Sequence, residues 1–396
     1  MAFFRLKCPL MMQRPTVNPS KNANIRELIE YSPFLSPLFQ KTTGKTGQRR
    51  LLLCHTFNNE ICMLPIIHDN LNPLAAYDYV LPQELIANAP ANPRDSARLL
   101  VHHRASGQTA FVAFAHITHY LPKNAVLVLN ETKVIPARFH CTEDTGGNVG
   151  MLYLSTNGDT MRVLAEGKLN AGDKLQWQDE HSFTVLQRDE KEAILQPSFP
   201  IETLHELLER YGETPLPPYI KHSPLSEPER RREYQTVFAE TPGSVAAPTA
   251  GLHFTEALLE KIRAHGCNIQ TVTLHVNLGT FAPLTEEHLR TRTLHEETYE
   301  ISPKTAALLN GAKEDGRPII AVGTTVVRTL ESAVRNGTLA HLAGTTRLFL
   351  SPENPPVFVD GLITNFHVPR SSLLMLVAAF VGREKLLSLY AEAIQE

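Results

Sequence analysis

From about residue 255 onward, predicted helices and strands alternate along the chain, and this alternation limits the fold more than any other feature. Apolar stretches such as IQTVTLHV and PIIAVG are separated by stretches with helical spacing of apolar residues, such as PKTAALLNGAKEDG and TVVRTLESAVRNG. Such a pattern predicts an α/β layer with at least partly parallel strands. Further upstream, residues 125–129 are entirely apolar, as expected for a strand that is buried on both faces.

Between residues 139 and 199 the pattern changes. Short runs with alternating apolar residues, such as MRVLAEG and SFTVLQRD, are separated by turn residues such as Asn157-Gly158-Asp159. Strands at this spacing indicate a small all-β barrel or sandwich. Because the α/β pattern lies on both sides, we predict an α/β fold with two domains. They are an α/β catalytic domain of residues 69–138 and 200–396, and an inserted β-barrel domain of residues 139–199.

The first 68 residues differ in composition from the rest. Residues 1–50 contain nine Lys or Arg residues but only two acidic residues, and prolines interrupt any helical or strand period. We predict a poorly ordered extension, or sequence upstream of a true start at Met63. A basic arm that contacts RNA is the alternative.

Composition restricts the classes of function. The net charge of −3 is close to neutral, so a polyanionic partner needs a local basic patch. Five cysteines form no CxxC pair and no metal-ligand spacing, which predicts reduced thiols, a cytoplasmic location and no metal site. No apolar run approaches the roughly 20 residues that span a bilayer, so we predict no membrane partner.

The most informative motif is GSVAAPTAGLHFT, residues 243–255, which leads directly into a predicted helix. Glycine and proline fix a particular backbone path, and small side chains let a ligand approach the main chain. Polar groups from Thr249, His253 and Thr255 lie where this path enters the helix. Because a helix N-terminus attracts anions, we predict a ligand site here.

Other segments place small or polar residues after β-rich runs, and ligands of open α/β sheets bind at the carboxyl ends of strands. A histidine beside carboxylates suits acid–base chemistry, and a Gly-Thr-Thr turn before a helix suits a phosphate or carboxylate. Taken singly, each segment is equally consistent with a satisfied histidine, a surface ion pair or a helix cap. The segments are LHVNLGTF (residues 274–281), LHEE (294–297), GTTVVR (323–328) and TNFHVPR (364–370).

Taken together, the motifs resemble the S-adenosylmethionine:tRNA ribosyltransferase-isomerase family of queuosine biosynthesis. The resemblance covers residues 77–382. Its motifs occur in the family's order: YDYVLPQELIA, RDSARLLV, VIPARF, PLPPYI, YQTVFAE, GSVAAPTAGLHFT, TLHVNLGTFAPL, LHEE, AVGTTVVRTLES and DGLITNFHVPRSSLLMLVAAF. The ordered set is highly specific, although no single motif is.

The resemblance implies an α/β domain with a smaller inserted β-barrel domain. It also implies that the ribosyl part of S-adenosylmethionine moves to the 7-aminomethyl-7-deazaguanine wobble base of tRNA. Adenine and methionine leave, and the ribose becomes an epoxycyclopentanediol. Such an enzyme needs a base, an acid for the departing adenine, a group for the methionine carboxylate and a site for the splayed wobble base. We expect S-adenosylmethionine as co-substrate, no further cofactor, the tRNA anticodon loop as partner, and a monomer.

The same resemblance suggests roles for individual residues. The candidates for proton transfer are His253, His275, His295, Glu297 and His367. The candidates for substrate binding are Arg94, Asp95, Thr249, Gly251, Thr255, Gly279, Thr280, Thr324, Thr325, Arg328 and Asn365. Of these, Arg328 suits a carboxylate, and Asp95 or Asn365 suits the deazaguanine edge. The candidates for tRNA contact are Arg138, Lys221, Arg230, Arg231, Arg232 and Arg370.

The chain departs from the family pattern at several positions. Glu131-Thr132-Lys133 replaces Asp-Thr-Arg, Asn277 replaces glycine, Leu294 replaces methionine, and Arg347 replaces an acidic residue. These departures affect the geometry of the substrate sites more than the reaction class. The alternatives are a relative that uses S-adenosylmethionine on another acceptor, and a tRNA-binding protein without catalysis.

Overall fold

The computed structural model describes residues 73–220, 223–277 and 285–396, and the backbone of five short strands before residue 73. Residues 7–72 form one unit, and residues 1–6 with 73–396 form the other. Within residues 7–72, β2 (Thr42–Thr43) pairs with β3 (Arg49–Arg50), and β4 (Cys54–Phe57) pairs with β5 (Glu60–Met63). Most of the predicted extension, residues 1–68, therefore lies outside the described residues. The domain boundaries stay a prediction.

The larger unit contains the remaining elements. Its strands are β1 (Ala2–Phe4), β6 (Arg98–His103), β7 (Thr109–Ala113), β8 (Val126–Asn130), β9 (Thr132–Val134), β10 (Arg138–Glu143), β11 (Asn148–Asn157), β12 (Thr160–Ala165), β13 (Lys174–Trp177), β14 (His181–Asp189), β15 (Glu192–Pro197), β16 (Thr241–Ser244), β17 (Asn268–Leu274), β18 (Thr293–Glu300), β19 (Ile319–Val322), β20 (Val334–Arg335), β21 (Thr338–Leu339), β22 (Ala343–Leu348) and β23 (Gly361–Ile363). Its α-helices are α1 (Leu204–Tyr211), α2 (Glu227–Glu233), α3 (Glu256–Ala264), α4 (Glu286–Thr291), α5 (Pro303–Glu314), α6 (Thr324–Ala333), α7 (Ser372–Val381) and α8 (Arg383–Gln395).

A nine-stranded sheet organises this unit, in the order β22-β18-β17-β8-β19-β23-β1-β6-β7. Its central strands β17, β8, β19 and β23 are parallel, so their carboxyl ends meet at one edge. Strand β18 runs antiparallel to β17, which brings its first residues toward that same edge. The predicted α/β fold is confirmed.

Strand β8 explains how the sheet separates two apolar layers. Val126 and Val128 belong to the cluster that packs on helices α5 to α8. Leu127 and Leu129 belong to the cluster on the opposite face, with apolar side chains of α3. Because successive side chains of a strand point to opposite faces, an entirely apolar sequence is required here.

The predicted barrel is also confirmed. Strands β10 to β15 close in the order β10-β11-β12-β15-β14-β13, with antiparallel neighbours. Its own core contains Phe139, Trp177 and Phe183, each about 1% exposed. Leu204 and Leu208 of helix α1 pack against this core. Among the described residues, no helix is long and apolar enough to cross a membrane.

The motif of residues 243–255 crosses the edge where the parallel strands end. Strand β16 pairs with β9, the strand that directly follows β8. A 3-10 helix then spans Thr249–His253, and α3 begins at Glu256. Helix α6 starts immediately after β19, with Gly323 at its N-cap. The fold therefore gathers the polar segments that follow several parallel strands.

Candidate active site

Asn130 connects the ends of three adjacent elements. It is the last residue of β8 and is 1% exposed. Its carboxamide nitrogen donates to the carbonyl of Leu274 (3.0 Å) and to the hydroxyl of Thr325 (3.3 Å). Its oxygen accepts from the backbone N–H groups of Thr132 (3.2 Å) and Leu274 (3.0 Å). All four hydrogen-bonding positions of the amide are thus used, which fixes these segments relative to one another.

His275 lies directly after β17 and is held from two sides. Its Nδ1 is 2.8 Å from the hydroxyl oxygen of Thr132. Its ring lies against Gly243, where an added Cβ would be 2.9 to 3.1 Å from three ring atoms. This contact explains one glycine of the sequence motif. Burial lowers the pKa of His275, and the charge of Glu300 opposes this shift, so the ring is neutral at pH 7.

His253 and Asn365, predicted from separate motifs, are direct partners. The side-chain nitrogen of Asn365 is 3.1 Å from Nε2 of His253. Since an amide nitrogen only donates, Nε2 accepts and the ring carries its proton on Nδ1. Burial lowers the pKa of His253 to about 4, and its ring packs on Phe114 at 5.3 Å between centroids. The buried side-chain oxygen of Asn365 has no hydrogen-bond partner within the described part of the chain.

Glu297 and Arg328 form a buried ion pair. Their side chains are 3% and 8% exposed, and Nη1 of Arg328 donates to the carboxylate of Glu297. The backbone of Asn277 also hydrogen-bonds to that carboxylate. Burial raises the pKa of Glu297 above its usual range, against the opposing effect of Arg328. Nε and Nη2 of Arg328 are buried and find no acceptor among the described residues.

Two further buried polar atoms near this ion pair also lack a hydrogen-bond partner among the described residues. The side-chain oxygen of Asn277 and Nε2 of His295 have no partner within residues 73–220, 223–277 and 285–396. The ring of His295 meets that of His288 at 4.4 Å, and burial lowers its pKa. Buried polar atoms without partners carry a cost of about 1–3 kcal/mol each. Such a concentration of them marks a ligand site.

The Thr324-Thr325 turn lies at the same edge. Helix α6 begins at Thr324, and Arg328 follows one turn later. Gly323 approaches the 3-10 helix of the motif, since an added Cβ would be 4.0 Å from Cβ of Ala250. The turn thus connects the motif to the Asn130 network through the hydroxyl of Thr325.

Several other predicted residues have structural partners. The hydroxyl of Thr255 caps α3 by accepting from the N–H of Leu258 (3.1 Å), and it lies 3.3 Å from the Asp95 carboxylate. Arg94 donates to the carbonyl of Gln235 and binds Glu233 at 3.2 Å. The two contacts of Arg94 attach the segment around residue 94 to the end of α2 and to Gln235, which follows it.

Three predicted residues near the motif serve its packing. Gly251 is required because a Cβ would be 2.7 Å from the ring of Phe238, and Thr249 begins the 3-10 helix. His367 fixes the loop that carries Asn365. Its Nε2 is 3.1 Å from the Thr364 hydroxyl, its carbonyl accepts from Tyr79, and its N–H donates to Tyr390. Burial lowers the pKa of His367.

The five arginines predicted to contact tRNA all lie in ion pairs. Arg370 binds Asp78, Arg138 binds Glu166 at 2.9 Å, and Arg232 binds Glu233 at 3.1 Å. On α2, Arg230 and Arg231 both bind Glu227, at 3.3 and 3.1 Å. Lys221, Gly279 and Thr280 lie outside the described residues.

Asn130 and Thr132 belong to this site but are not among the residues predicted from the sequence. Both follow the apolar run of β8, so the rule that ligands gather at strand ends would have identified them. In the sequence motifs, Thr132 stands only within the departure Glu131-Thr132-Lys133. Among the described residues, no group of three or more His, Cys, Asp or Glu side chains is placed to hold a metal ion.

The chain is similar to known proteins of one family over most of its length. The profile of a family described as queuosine biosynthesis protein matches residues 74–396. A protein of Carboxydothermus hydrogenoformans named S-adenosylmethionine:tRNA ribosyltransferase-isomerase is 44% identical over 326 residues, covering 81% of this chain and 95% of its own length. A protein of the same name from Staphylococcus haemolyticus is also 44% identical, with 81% and 94% covered.

A crystal structure of S-adenosylmethionine tRNA ribosyltransferase from Thermotoga maritima is 32% identical and covers 81% of this chain and 94% of its own, with a TM-score of 0.45. The predicted family and the predicted enzyme class, a transferase-isomerase, are confirmed by the family profile and the curated relatives. The chain belongs to the queuosine biosynthesis protein family, that of the S-adenosylmethionine:tRNA ribosyltransferase-isomerases.

Proposed function

We propose that the enzyme transfers and isomerises the ribosyl moiety of S-adenosylmethionine onto the 7-aminomethyl-7-deazaguanine wobble base of tRNA. The product is epoxyqueuosine, and adenine and methionine are released. The relatives' names support S-adenosylmethionine and tRNA as the substrates. One observation carries the proposal for this chain: neutral histidines and a buried, partly unpaired arginine meet at one edge of the sheet.

Arg328 is the proposed partner of the methionine carboxylate. One of its nitrogens holds Glu297, while Nε and Nη2 are free of partners among the described residues. A guanidinium binds a carboxylate through two parallel N–H groups, and burial strengthens such bonds. The Thr324-Thr325 turn adds hydroxyls and the N-terminus of α6 nearby.

His275 is the proposed base. The positive sulfur of S-adenosylmethionine acidifies the adjacent carbon, and a neutral imidazole can remove that proton. Because burial lowers the pKa of His275, the ring is available as a base at pH 7. The imidazolium so formed can return its proton to adenine as the glycosidic bond breaks. The carbon–sulfur bond breaks with its electron pair remaining on sulfur as a ribose oxygen bonds to the same carbon and closes the epoxide, and methionine leaves. The amine of the acceptor base forms the bond to the ribosyl carbon chain and loses a proton.

His253 and Asn365 are proposed to bind the adenosyl part. The unpartnered oxygen of Asn365 can accept from an exocyclic amine, while the other end of its amide is held by His253. With a pKa of about 4, His253 is neutral in the working range of pH and orients Asn365 rather than donating a proton.

The exposed ion pairs of the arginines are compatible with tRNA contact. Arg138 and Arg370 are 40% and 64% exposed, and exposed pairs contribute only about 0–1 kcal/mol. A phosphate can therefore displace the carboxylate at little cost. A cytoplasmic location and a monomeric state remain our predictions.

The test is release of adenine from S-adenosylmethionine in the presence of an anticodon stem–loop RNA that carries the 7-aminomethyl-7-deazaguanine base. We expect adenine release together with attachment of the ribosyl group to the RNA. Release only with a different acceptor would favour the relative with another substrate. Binding of the RNA without adenine release would favour a non-catalytic tRNA-binding protein.

A further inference from the structure

A cleft of about 560 Å³ separates the barrel from the edge of the sheet. Ser155 and Arg162 lie on its barrel side, and His295 and Arg347 on the sheet side. Asn277 belongs to its lining as well. Ligand pockets commonly have volumes of about 300–1,000 Å³, so this cleft is large enough for a nucleobase with part of its sugar.

The charged groups at the rim of the cleft are already paired. Arg162 binds Glu192 at 2.5 Å, and Arg347 binds Glu296 at 3.2 Å. Each of these cations thus has a carboxylate partner, so the rim alone does not select a ligand.

The interior of the cleft is different, because its neutral polar groups lack partners. Asn277 and His295 are lining residues of the cleft. The side-chain oxygen of Asn277 and Nε2 of His295 are buried and have no hydrogen-bond partner among the described residues. An amide oxygen only accepts, so the missing partner of Asn277 must carry an N–H or O–H group. Burial and the neighbouring ring of His288 lower the pKa of His295, so it offers a neutral nitrogen.

We propose that this cleft receives the acceptor base of the RNA, and that Asn277 accepts a hydrogen bond from the Watson–Crick edge of its guanine-like ring. This inference rests on the proposed function and assigns one of its two substrates to a separate subsite. A guanine-like edge presents N–H donors and a carbonyl acceptor, which match Asn277 and His295. The exposed rim lets a base that is attached to a polymer enter from solvent, as recognition of splayed RNA bases requires.

The subsite adjoins the proposed site for S-adenosylmethionine. The backbone of Asn277 hydrogen-bonds to Glu297, which holds Arg328, and the proposed base His275 lies two residues before Asn277. A base bound in the cleft thus lies beside the groups that act on the ribosyl donor. Three of the departures from the family pattern, Asn277, Leu294 and Arg347, line this cleft.

The test compares Asn277→Ala with Gln176→Ala, which removes an exposed amide on the barrel surface. Three probes are used without turnover: an anticodon stem–loop RNA carrying the 7-aminomethyl-7-deazaguanine base, and the same RNA with guanine or with hypoxanthine at that position, which differ only in the 2-amino group. We expect Asn277→Ala to weaken binding of the first RNA about tenfold and to reduce the discrimination between guanine and hypoxanthine. Binding of S-adenosylmethionine, measured by calorimetry, stays unchanged, and Gln176→Ala behaves like the unaltered enzyme.

A second variant, Ser155→Trp, fills the cleft from the barrel side without altering Asn277. We expect it to weaken RNA binding and to leave S-adenosylmethionine binding intact. Unchanged RNA affinity in both variants would overturn the inference, as would weaker binding of S-adenosylmethionine alone. Since these are binding measurements, absence of turnover in the unaltered enzyme would count against the proposed function and not against the subsite.

Discussion

The hydroxyl oxygen of Thr132 lies 2.8 Å from Nδ1 of His275, and together they connect the segments that follow two parallel strands. Which nitrogen of a histidine is protonated depends on the hydrogen bond that the other nitrogen makes. With Nδ1 engaged by Thr132, Nε2 is the nitrogen left for the substrate. Thr132 is itself fixed by Asn130, because its backbone N–H donates to the Asn130 amide.

Thr132→Val removes the hydroxyl with little change in shape. We expect kcat to fall about 10- to 100-fold, since a positioned general base contributes about 10²- to 10⁴-fold, while KM for S-adenosylmethionine changes little. Thr132→Ser keeps the hydroxyl and should restore most of kcat. Steady-state kinetics of adenine release measures both variants. Equal losses of kcat in the valine and serine variants would show that the hydrogen bond between Thr132 and His275 does not contribute to kcat.

Gly243→Ala tests the surface on which His275 rests. The new Cβ would lie 2.9 to 3.1 Å from ring atoms of His275, and the residue has a φ of +143°. Gly344 has a similar φ of +153° but no atom within 4 Å of an added Cβ, so Gly344→Ala carries the backbone strain alone. We expect both variants to lose about 1–3 kcal/mol of stability, and only Gly243→Ala to lose activity beyond that. Thermal unfolding and adenine release separate the two effects.

The ion pair of Glu297 and Arg328 predicts a contrast between single and double variants. Glu297→Ala leaves a buried guanidinium without its carboxylate, which costs about 3–5 kcal/mol of unfolding free energy. The double variant Glu297→Leu with Arg328→Met replaces the pair by apolar side chains and should recover most of that stability. It should not recover binding of S-adenosylmethionine. Denaturant unfolding and calorimetry test these expectations, and a double variant that still binds would exclude Arg328 as the carboxylate partner.

The lowered pKa of His253 predicts how stability depends on pH. In the unfolded chain this histidine takes up a proton near pH 6.5, whereas in the folded protein its pKa is about 4. Between these pH values the unfolded state binds more protons than the folded state. The contribution of His253 to the free energy of unfolding is therefore complete above pH 6.5 and is lost as the pH falls toward 4. The loss is at most about 3 to 4 kcal/mol, because the two pKa values differ by about 2.5 and each pKa unit corresponds to about 1.4 kcal/mol.

His253→Gln cannot titrate in this range, so its unfolding free energy should decline less than that of the unaltered protein between pH 6.5 and 4. Chemical denaturation at a series of pH values measures the difference. Parallel pH curves for the two proteins would contradict the assignment.

Exposed arginines near the site predict a salt effect on RNA binding. Each phosphate contact that is lost should reduce the slope of log affinity against log salt by about 1. Replacing Arg138 and Arg370 by glutamine should therefore flatten the slope for an anticodon stem–loop. An unchanged slope would remove Arg138 and Arg370 from the RNA contact surface.

The architecture and the family could both be predicted from the amino-acid sequence. Local periodicity distinguished the apolar run of residues 125–129, which must be buried on both faces, from the alternating runs that became the barrel. Motifs in a fixed order identified the family, and the rule of strand ends pointed to His275, Thr324 and Asn365. These features are encoded locally, because side-chain spacing and turn residues act within a few positions of the chain.

The partners of the predicted groups could not be predicted in this way, because they depend on the three-dimensional fold. The contacts of His253 with Asn365 and of Glu297 with Arg328 join residues 112 and 31 positions apart, and no local pattern specifies such distances. Burial also depends on every element that packs around a group, so the pKa shifts of these histidines follow from the fold alone. The hydroxyl of Thr255, which is predicted to bind a ligand, also caps α3, because the first N–H groups of a helix need acceptors.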